Sequence, residues 1–285
     1  MKTLLWEPLG NVSPRQLTET RLLLHHAAQL VAAVGRSLVP AHPDDGHTTL
    51  YWRAQPRSLT SQEVPGPRPW RAVLRPAELS VAVLAEGSEV GRLALAGRTQ
   101  REAFEWLVDR ARDLGAPVER LGLAAPYQLP EHPVGAGAAF AAPGEGSLAE
   151  LSCWFADAEP LLRGVADGWF GSPPVRVWPH HFDIGSVLPL GDAHGEGAAS
   201  IGVGLSPGDE GIAEPYFYVT PWPPPESLPE LPAGGRWHRE GWTGAVLTGS
   251  QIVAAGGGAA QAAETSAFLT GTVEALRARH DHRGA

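Results

Sequence analysis

The most unusual local sequence in the chain is Trp178-Pro-His-His-Phe-Asp183. Successive side chains of a strand point to opposite faces. On that geometry His181 and Asp183 share one face, and Trp178, His180 and Phe182 share the other. An imidazole and a carboxylate side by side can act as two metal ligands. With a distant histidine, for which His238 is the candidate, they would form the facial triad of non-haem iron chemistry. The plainer reading is a histidine held by a carboxylate at a strand end, and the His-x-Asp pattern is short enough to arise by chance.

A second candidate group lies in Glu214-Pro-Tyr-Phe-Tyr-Val219. Alternation puts Glu214, Tyr216 and Tyr218 on one face, where a carboxylate beside two phenols can form a polar pocket. The alternative is a half-exposed strand whose tyrosines pack their rings and wet their hydroxyls. Asp209 and Glu210, in the turn just before it, are acids of the kind that are usually solvated. In the first helical segment His25 and Gln29 stand four apart and share a face. That face is nearly opposite the Leu/Val arc, so it meets either solvent or a polar cavity. Cys153, beside Trp154 in a helical stretch, reads as a small buried hydrophobe. No nucleophile elbow and no metal-protease histidine pair is present.

The elements that would position these groups follow from hydrophobic period and turn chemistry. Ser13-Pro-Arg-Gln16 reads as a capping box opening a helix to about Gly35 or Ser37, with Leu23, Leu24, Ala27, Leu30, Val31 and Val34 toward the core. The segment His47–Arg53 alternates like a strand, with Thr48, Leu50 and Trp52 on one face and His47, Thr49, Tyr51 and Arg53 on the other. Strands are expected at Trp70–Leu74, Leu79–Leu84 and Val90–Leu95, with a hairpin turn at Gly87-Ser88. Thr99-Gln-Arg-Glu102 caps a helix that Gly115 stops, and Val118–Leu123 reads as a short strand. Residues 126–146 are rich in Pro, Gly and Ala and read as a connection. Ser147-Leu-Ala-Glu150 opens a further helix that Pro160 is expected to kink. Strands are then expected at Val175–Val187, Ala199–Leu205, Glu214–Thr220 and within Gly244–Ile252, an extended proline-rich loop from Pro221, and a last helix at about Ala259–Arg279.

These patterns predict an α+β fold of antiparallel sheet or sheets flanked by helices. The expected organisation is an N-terminal half (1–125), the connection (126–146) and a C-terminal half (147–285), the two halves packed as one unit. Each half runs helix, strands, helix, which hints at a duplicated unit. The absence of βαβ units with a Gly-rich phosphate loop argues against Rossmann and P-loop folds.

The 285 residues carry 22 Lys and Arg against 31 Asp and Glu, a formal net charge of −9. So acidic a chain is a poor partner for nucleic acid or an anionic membrane. One cysteine excludes an internal disulfide framework. The N-terminus lacks the apolar core of a secretory signal, and no apolar run reaches the length of a membrane helix. A soluble cytoplasmic protein is expected. Lys2 is the only lysine and Asn11 the only asparagine, the codon signature of a GC-rich bacterial genome.

Several segments together resemble bacterial domain-of-unknown-function family 5996. They are Leu24-His25-x-x-x-Gln29, His47-x-x-Leu-Tyr51 with Leu59-Thr60 and Pro65 downstream, Phe182-Asp183, and Glu214-Pro-x-Phe-Tyr218, in that order. The resemblance covers most of the chain from Leu22 and is looser in the C-terminal third. It supplies matched positions rather than a reaction. The matched residues His25, Gln29, His47, Asp183 and Glu214 are polar and have no evident local structural task, which implies a shared pocket between the halves. On that reading His25, His47, Asp183 and Glu214 do acid/base or metal work, and Gln29, Tyr51, Tyr216 and Tyr218 bind the ligand. A metal would sit on His181 and Asp183 as zinc, iron or manganese, without Cys153; beyond that candidate metal no cofactor is named. Where the family commonly has small residues this chain has His180 and His181, which counts against an obligatory iron triad. The competing reading is a non-catalytic interaction protein that uses the Pro/Trp-rich loop 221–232.

Overall fold

The computed structural model describes residues 6–191, 197–231 and 234–281. It is an α+β fold with two antiparallel sheets. The chain divides into two compact units. The first comprises Thr18–Ser152 and Arg176–Phe182; the second comprises the described residues up to Leu17, Cys153–Val175 and the residues from Asp183 onward. The Pro/Gly/Ala-rich stretch 126–146 therefore lies inside the first unit. Among the described residues no helix is long and apolar enough to cross a membrane.

The first unit is organised on α1 (Thr18–Leu38). Leu23, Leu24, Ala27, Ala28, Leu30, Val31, Ala32, Ala33 and Val34 are all buried, and so are His25, His26 and Gln29. A helix covered on all sides sits at the centre of its unit. Each fully buried Leu or Val stabilises the fold by about 1.5–3 kcal/mol relative to exposure. Beside α1 run β1 (Tyr51–Ala54), β2 (Arg57–Thr60), β3 (Trp70–Arg75), β4 (Ser80–Ala85) and β5 (Ser88–Ala94), an antiparallel meander in sequence order. Helix α2 (Gln100–Asp113) follows. Its capping box is made: Glu102 N donates to Thr99 Oγ1 (3.2 Å), and Thr99 N donates to Glu102 Oε2 (2.7 Å). Helix α1 packs on β2 and β3, α2 packs on β4 and β5, and the helices touch each other.

Several local expectations are corrected here. The first helix begins as a 3-10 turn, Pro14–Leu17, before α1. His47 is in a 3-10 turn, Gly46–Thr48, not on a strand. The Thr48 hydroxyl bonds back to Asp45 O (2.9 Å) and that of Thr49 to Gly46 O (2.7 Å), closing local turns in place of a ladder. The β4–β5 hairpin turns at Glu86-Gly87, where both φ angles are positive (52° and 81°), one residue earlier than expected. Val118–Leu123 forms no strand: after Pro117 the chain closes a 3-10 turn, Val118–Arg120. Ser147 is the first residue of α3 (Ser147–Asp167), because Gly146 (φ 76°) supplies the carbonyl that Glu150 N bonds (2.8 Å).

The expected strand Val175–Val187 is two strands, β6 (Arg176–Trp178) and β7 (Asp183–Pro189), separated by the turn 179–182. Val177 of β6 bridges to Leu50 in the first unit. In the second unit β7 is joined by β8 (Ser200–Ser206), β9 (Tyr216–Trp222), β10 (Arg236–His238) and β11 (Gly244–Thr248), antiparallel in the order β10–β11–β9–β8–β7. Pro221 and Trp222 thus belong to β9 rather than to the loop after it. The strand expected within Gly244–Ile252 stops at Thr248, where α4 (Gly249–Ala254) starts; Thr248 N donates to Gln251 Oε1 (3.0 Å). Helix α5 (Gly258–Asp281) packs on β8, β9, β11 and α4. The register rows Ile184–Leu205–Phe217–Leu247 and Ser186–Val203–Val219–Ala245 are buried throughout.

Candidate functional site

His25 and Gln29 share a face of α1, as their spacing predicts, and that face is buried: they are 3% and 2% exposed. Both donate to one acceptor, the carbonyl oxygen of Pro179. The bonds are His25 Nε2 to Pro179 O and Gln29 Nε2 to Pro179 O, each 2.8 Å. The His25 ring stacks on Phe182 (centroids 5.4 Å, 11° between planes). The His25 pKa is lowered from 6.5 to about 4, chiefly by burial, which outweighs the bond to Pro179, with smaller contributions from His26, Arg21 and His181. His25 is therefore neutral at pH 7, and it fixes a backbone turn.

That turn overturns the expected alternation around His181. His181 N and Phe182 N both bond Trp178 O (3.2 and 2.7 Å), and Phe182 has φ 61°. A turn with a left-handed residue has no strand parity, so the strand pairing of His181 with Asp183 does not hold. The His180 and His181 rings are 4.2 Å apart rather than on opposite faces. His180 meets Trp178 edge-on at 6.0 Å as expected, and Tyr127 at 5.8 Å, while Phe182 pairs with His25.

From Gln29 round to His26, α1 borders a cleft of about 770 Å³ within the first unit. Its polar lining is His26, Gln29, Gln100, Tyr127, Glu131 and His132; Leu123, Leu129 and Pro133 contribute apolar wall. The chain that reads as a connection builds this wall. His26 Nε2 donates to Pro130 O (3.0 Å), and Gln100 Nε2 donates to His26 O (2.7 Å). A Cβ on Gly135 would stand 2.7 Å from His26 Cε1, so only glycine lets the loop approach so closely. His132 lies 5.5 Å from His26, ring to ring, and donates from Nε2 to Glu19 Oε1 (2.9 Å). Its Nδ1 accepts from Val134 N (3.2 Å). Tyr127 donates to Gln29 Oε1 (2.8 Å) and accepts from Arg36 Nη1 (3.5 Å). Burial, opposed by the bond to Pro130 and helped by His132, lowers the His26 pKa.

In the second unit Tyr218 donates to Asp183 Oδ2 (2.5 Å), and Tyr216 donates to Asp209 Oδ2 (2.5 Å). Asp209 Oδ1 also accepts from Gly211 N and Ile212 N (both 2.7 Å), so this acid is a turn anchor rather than a solvated charge. Trp242 stacks on Tyr216 (6.3 Å, 22°) and meets Tyr218 edge-on (6.5 Å, 79°). Burial first, then the carboxylate partners, raise both phenol pKa values. Glu214 turns elsewhere: its Oε2 accepts from Ser250 N (2.6 Å) at the start of α4, and Oε1 faces Arg15 Nε (3.6 Å). His238 donates to Glu240 O (2.7 Å) and packs on Trp242 (4.6 Å).

The residues singled out from sequence thus fall into one set per unit. In the first, His25 and Gln29 act together; His47 Nδ1 accepts from His42 N (3.2 Å), and Tyr51 lies under the Arg53 guanidinium (5.8 Å). Among the described residues no hydrogen bond or ring contact joins His47 or Tyr51 to that pair. In the second, Asp183, Tyr216 and Tyr218 adjoin, without Glu214. Among the described residues no group of three or more His, Cys, Asp or Glu is arranged to hold a metal ion. Sequence reasoning missed His26, Gln100, Tyr127, Glu131 and His132. The available signal was the presence of Tyr127, Glu131 and His132 in a stretch dominated by Pro, Gly and Ala. No protein-family model, curated protein or solved structure matches the chain.

Proposed function

We propose that this protein binds a small polar molecule in the first-unit cleft, and that it belongs to domain-of-unknown-function family 5996. The observation that carries the binding reading is the cleft itself. Its volume, about 770 Å³, falls in the range of small-molecule sites. Of its polar side chains, His26, Gln29, Gln100, Tyr127 and His132 are each held by another part of the protein, which is how a site is preorganised. Gln29 is the family-matched position that lines it. The single cysteine fits a reducing compartment, and we place the protein in the bacterial cytoplasm.

Mass spectrometry of what is released on denaturing freshly purified protein tests the reading, together with thermal shifts against a metabolite panel. A bound molecule whose stabilising effect is lost in Gln100→Ala supports it. Retention of the whole effect in that variant would place the ligand elsewhere. The second reading, a protein-contact surface at 221–232, rests on Trp222, which is 54% exposed; Pro232 lies outside the described residues. That reading expects Trp222→Ala, and not Gln100→Ala, to change the protein's behaviour with a partner.

A further inference from the structure

We propose a second binding site, at one end of the second-unit sheet, for a small molecule that joins a carboxylate to an apolar ring. The cavity there has a volume of about 340 Å³, at the small end of ligand sites, and shares no lining residue with the first-unit cleft. Apolar lining comes from Leu190 just after β7, Ile201 on β8 and Leu276 on α5. The end of β9 adds Pro221 and Trp222, and Pro223 and Pro225 continue from it. Trp222 is 54% exposed. An indole left half in water beside proline rings offers a flat apolar face, which an aromatic body covers well.

The polar part of the lining is Arg279 and His280, and no carboxylate lines the cavity. Leu276, Arg279 and His280 stand three and four residues apart on α5, so one helical face brings apolar surface and nitrogen donors to the same place. Arg279 Nη1 donates to Ser227 O (2.6 Å) and to the Ser227 hydroxyl. That fastens the guanidinium to the proline-rich loop and leaves its Nε–Nη2 edge without a partner among the described residues. The same edge is a two-toothed fork that matches the two oxygens of a carboxylate. No acid pairs with Arg279 or His280 among the described residues. The His280 imidazole presents an N–H in either tautomer.

Backbone groups do not reverse this preference. Pro221, Pro223 and Pro225 have no N–H, so their carbonyls favour a donor. Neutral bonds of that kind are about half as strong as charge-assisted ones, so the guanidinium decides the sign of the ligand. Cations in the last turn of a helix also answer the partial negative charge there. Arg279 is not spent in that way, because its bonds run to Ser227 rather than to the last carbonyls of α5.

The test is isothermal titration of the full chain with phenylacetate. The controls are 2-phenylethanol (the body without the charge), acetate (the charge without the body) and phenethylamine (the opposite charge). Phenylacetate is expected to bind, and the controls are not. Arg279→Gln and Trp222→Ala are each expected to weaken binding about tenfold, one by losing a bond to a charged group and the other by losing the ring contact. Arg239→Gln, at an exposed cation outside the lining, is expected to leave binding unchanged. If Arg279→Gln fails to fold for want of its Ser227 bond, Trp222→Ala, at an exposed residue, still decides. Binding indifferent to both variants, or lost equally in Arg239→Gln, would overturn the proposal, as would no binding of phenylacetate. Equal binding of 2-phenylethanol would overturn the charge assignment that defines the site. Phenylacetate binding kept in Arg279→Gln and lost in Gln100→Ala would move the ligand to the first-unit cleft, overturning this proposal and supporting that one.

Discussion

The hydroxyl of Tyr218 donates to Asp183 Oδ2 across 2.5 Å, and the ring reaches that carboxylate by lying over glycines. In the sheet register Tyr218 on β9 stands beside Gly204 on β8, which stands beside Gly185 on β7. A Cβ on Gly204 would fall 2.4 Å from Tyr218 Cζ and 2.7 Å from Ile184 O; one on Gly185 would fall 2.9 Å from Tyr218 Oη. Two small residues in neighbouring strands thus make a trough for the ring, and a polar contact across the sheet follows from backbone shape.

Gly204→Ala is accordingly expected to destabilise the protein by about 1–3 kcal/mol, the range for overpacking a filled site. The clash includes a backbone oxygen, which cannot rotate away. Gly66→Ala, with nothing within 4 Å of its new Cβ, is expected to stay within about 0.5 kcal/mol of the parent. Urea denaturation of the two variants measures the difference. Equal midpoints would show that the ring does not rest on Gly204.

Acid sensitivity is expected from His25. Its pKa is lowered from 6.5 to about 4, so between those values the unfolded chain binds a proton that the folded chain refuses. Stability therefore rises with pH across that window and is lost as pH falls through it, by on the order of 3 kcal/mol in total. His25→Gln keeps a donor for Pro179 O but does not titrate. Denaturation at pH 7 and pH 4.5 should show a smaller loss in this variant than in the parent.

How far the sequence carried the reading differs between elements for physical reasons. Helix α2 and strands β3 and β4 were legible because their period, caps and turns are local. The shared face of His25 and Gln29 was legible too, being a matter of helical spacing. What that face meets was not, because Pro179 is 150 residues from Gln29. His47 was misplaced on a strand because threonine has strand propensity as well as a hydroxyl that can close a turn. The His181–Asp183 pairing failed at one residue: a phenylalanine with positive φ is rare enough that alternation was the better prior. The cleft was missed because its wall is a loop, whose course is set by hydrogen bonds with α1 rather than by any period of its own.

Glu214 is expected to act on stability through α4. Its carboxylate accepts Ser250 N at the first turn of that helix, where unpaired amide groups and the helix dipole both favour an anion. Glu214→Ala should cost about 1 kcal/mol, with Glu214→Asp intermediate. Thermal melts give the order. A Glu214→Ala variant as stable as the parent would show that water replaces the carboxylate without loss.

His180 supplies the sharpest local test of the 179–182 turn. Burial first, and the adjoining His181 second, lower its pKa from 6.5 to about 4. The two rings stand 4.2 Å apart because the turn folds them together; on an extended strand they would face opposite ways. His181 is exposed, so His181→Ala should leave the fold intact. Removing that neighbour takes away the smaller of the two causes. The His180 pKa should therefore rise in His181→Ala and remain below 6.5, since burial among Tyr127 and Trp178 persists. Nuclear magnetic resonance titration of the imidazole protons reads this directly. A return of His180 all the way to 6.5 would mean that His181, not burial, dominates. No change at all would mean that the rings are not neighbours, and the turn geometry would fail with them.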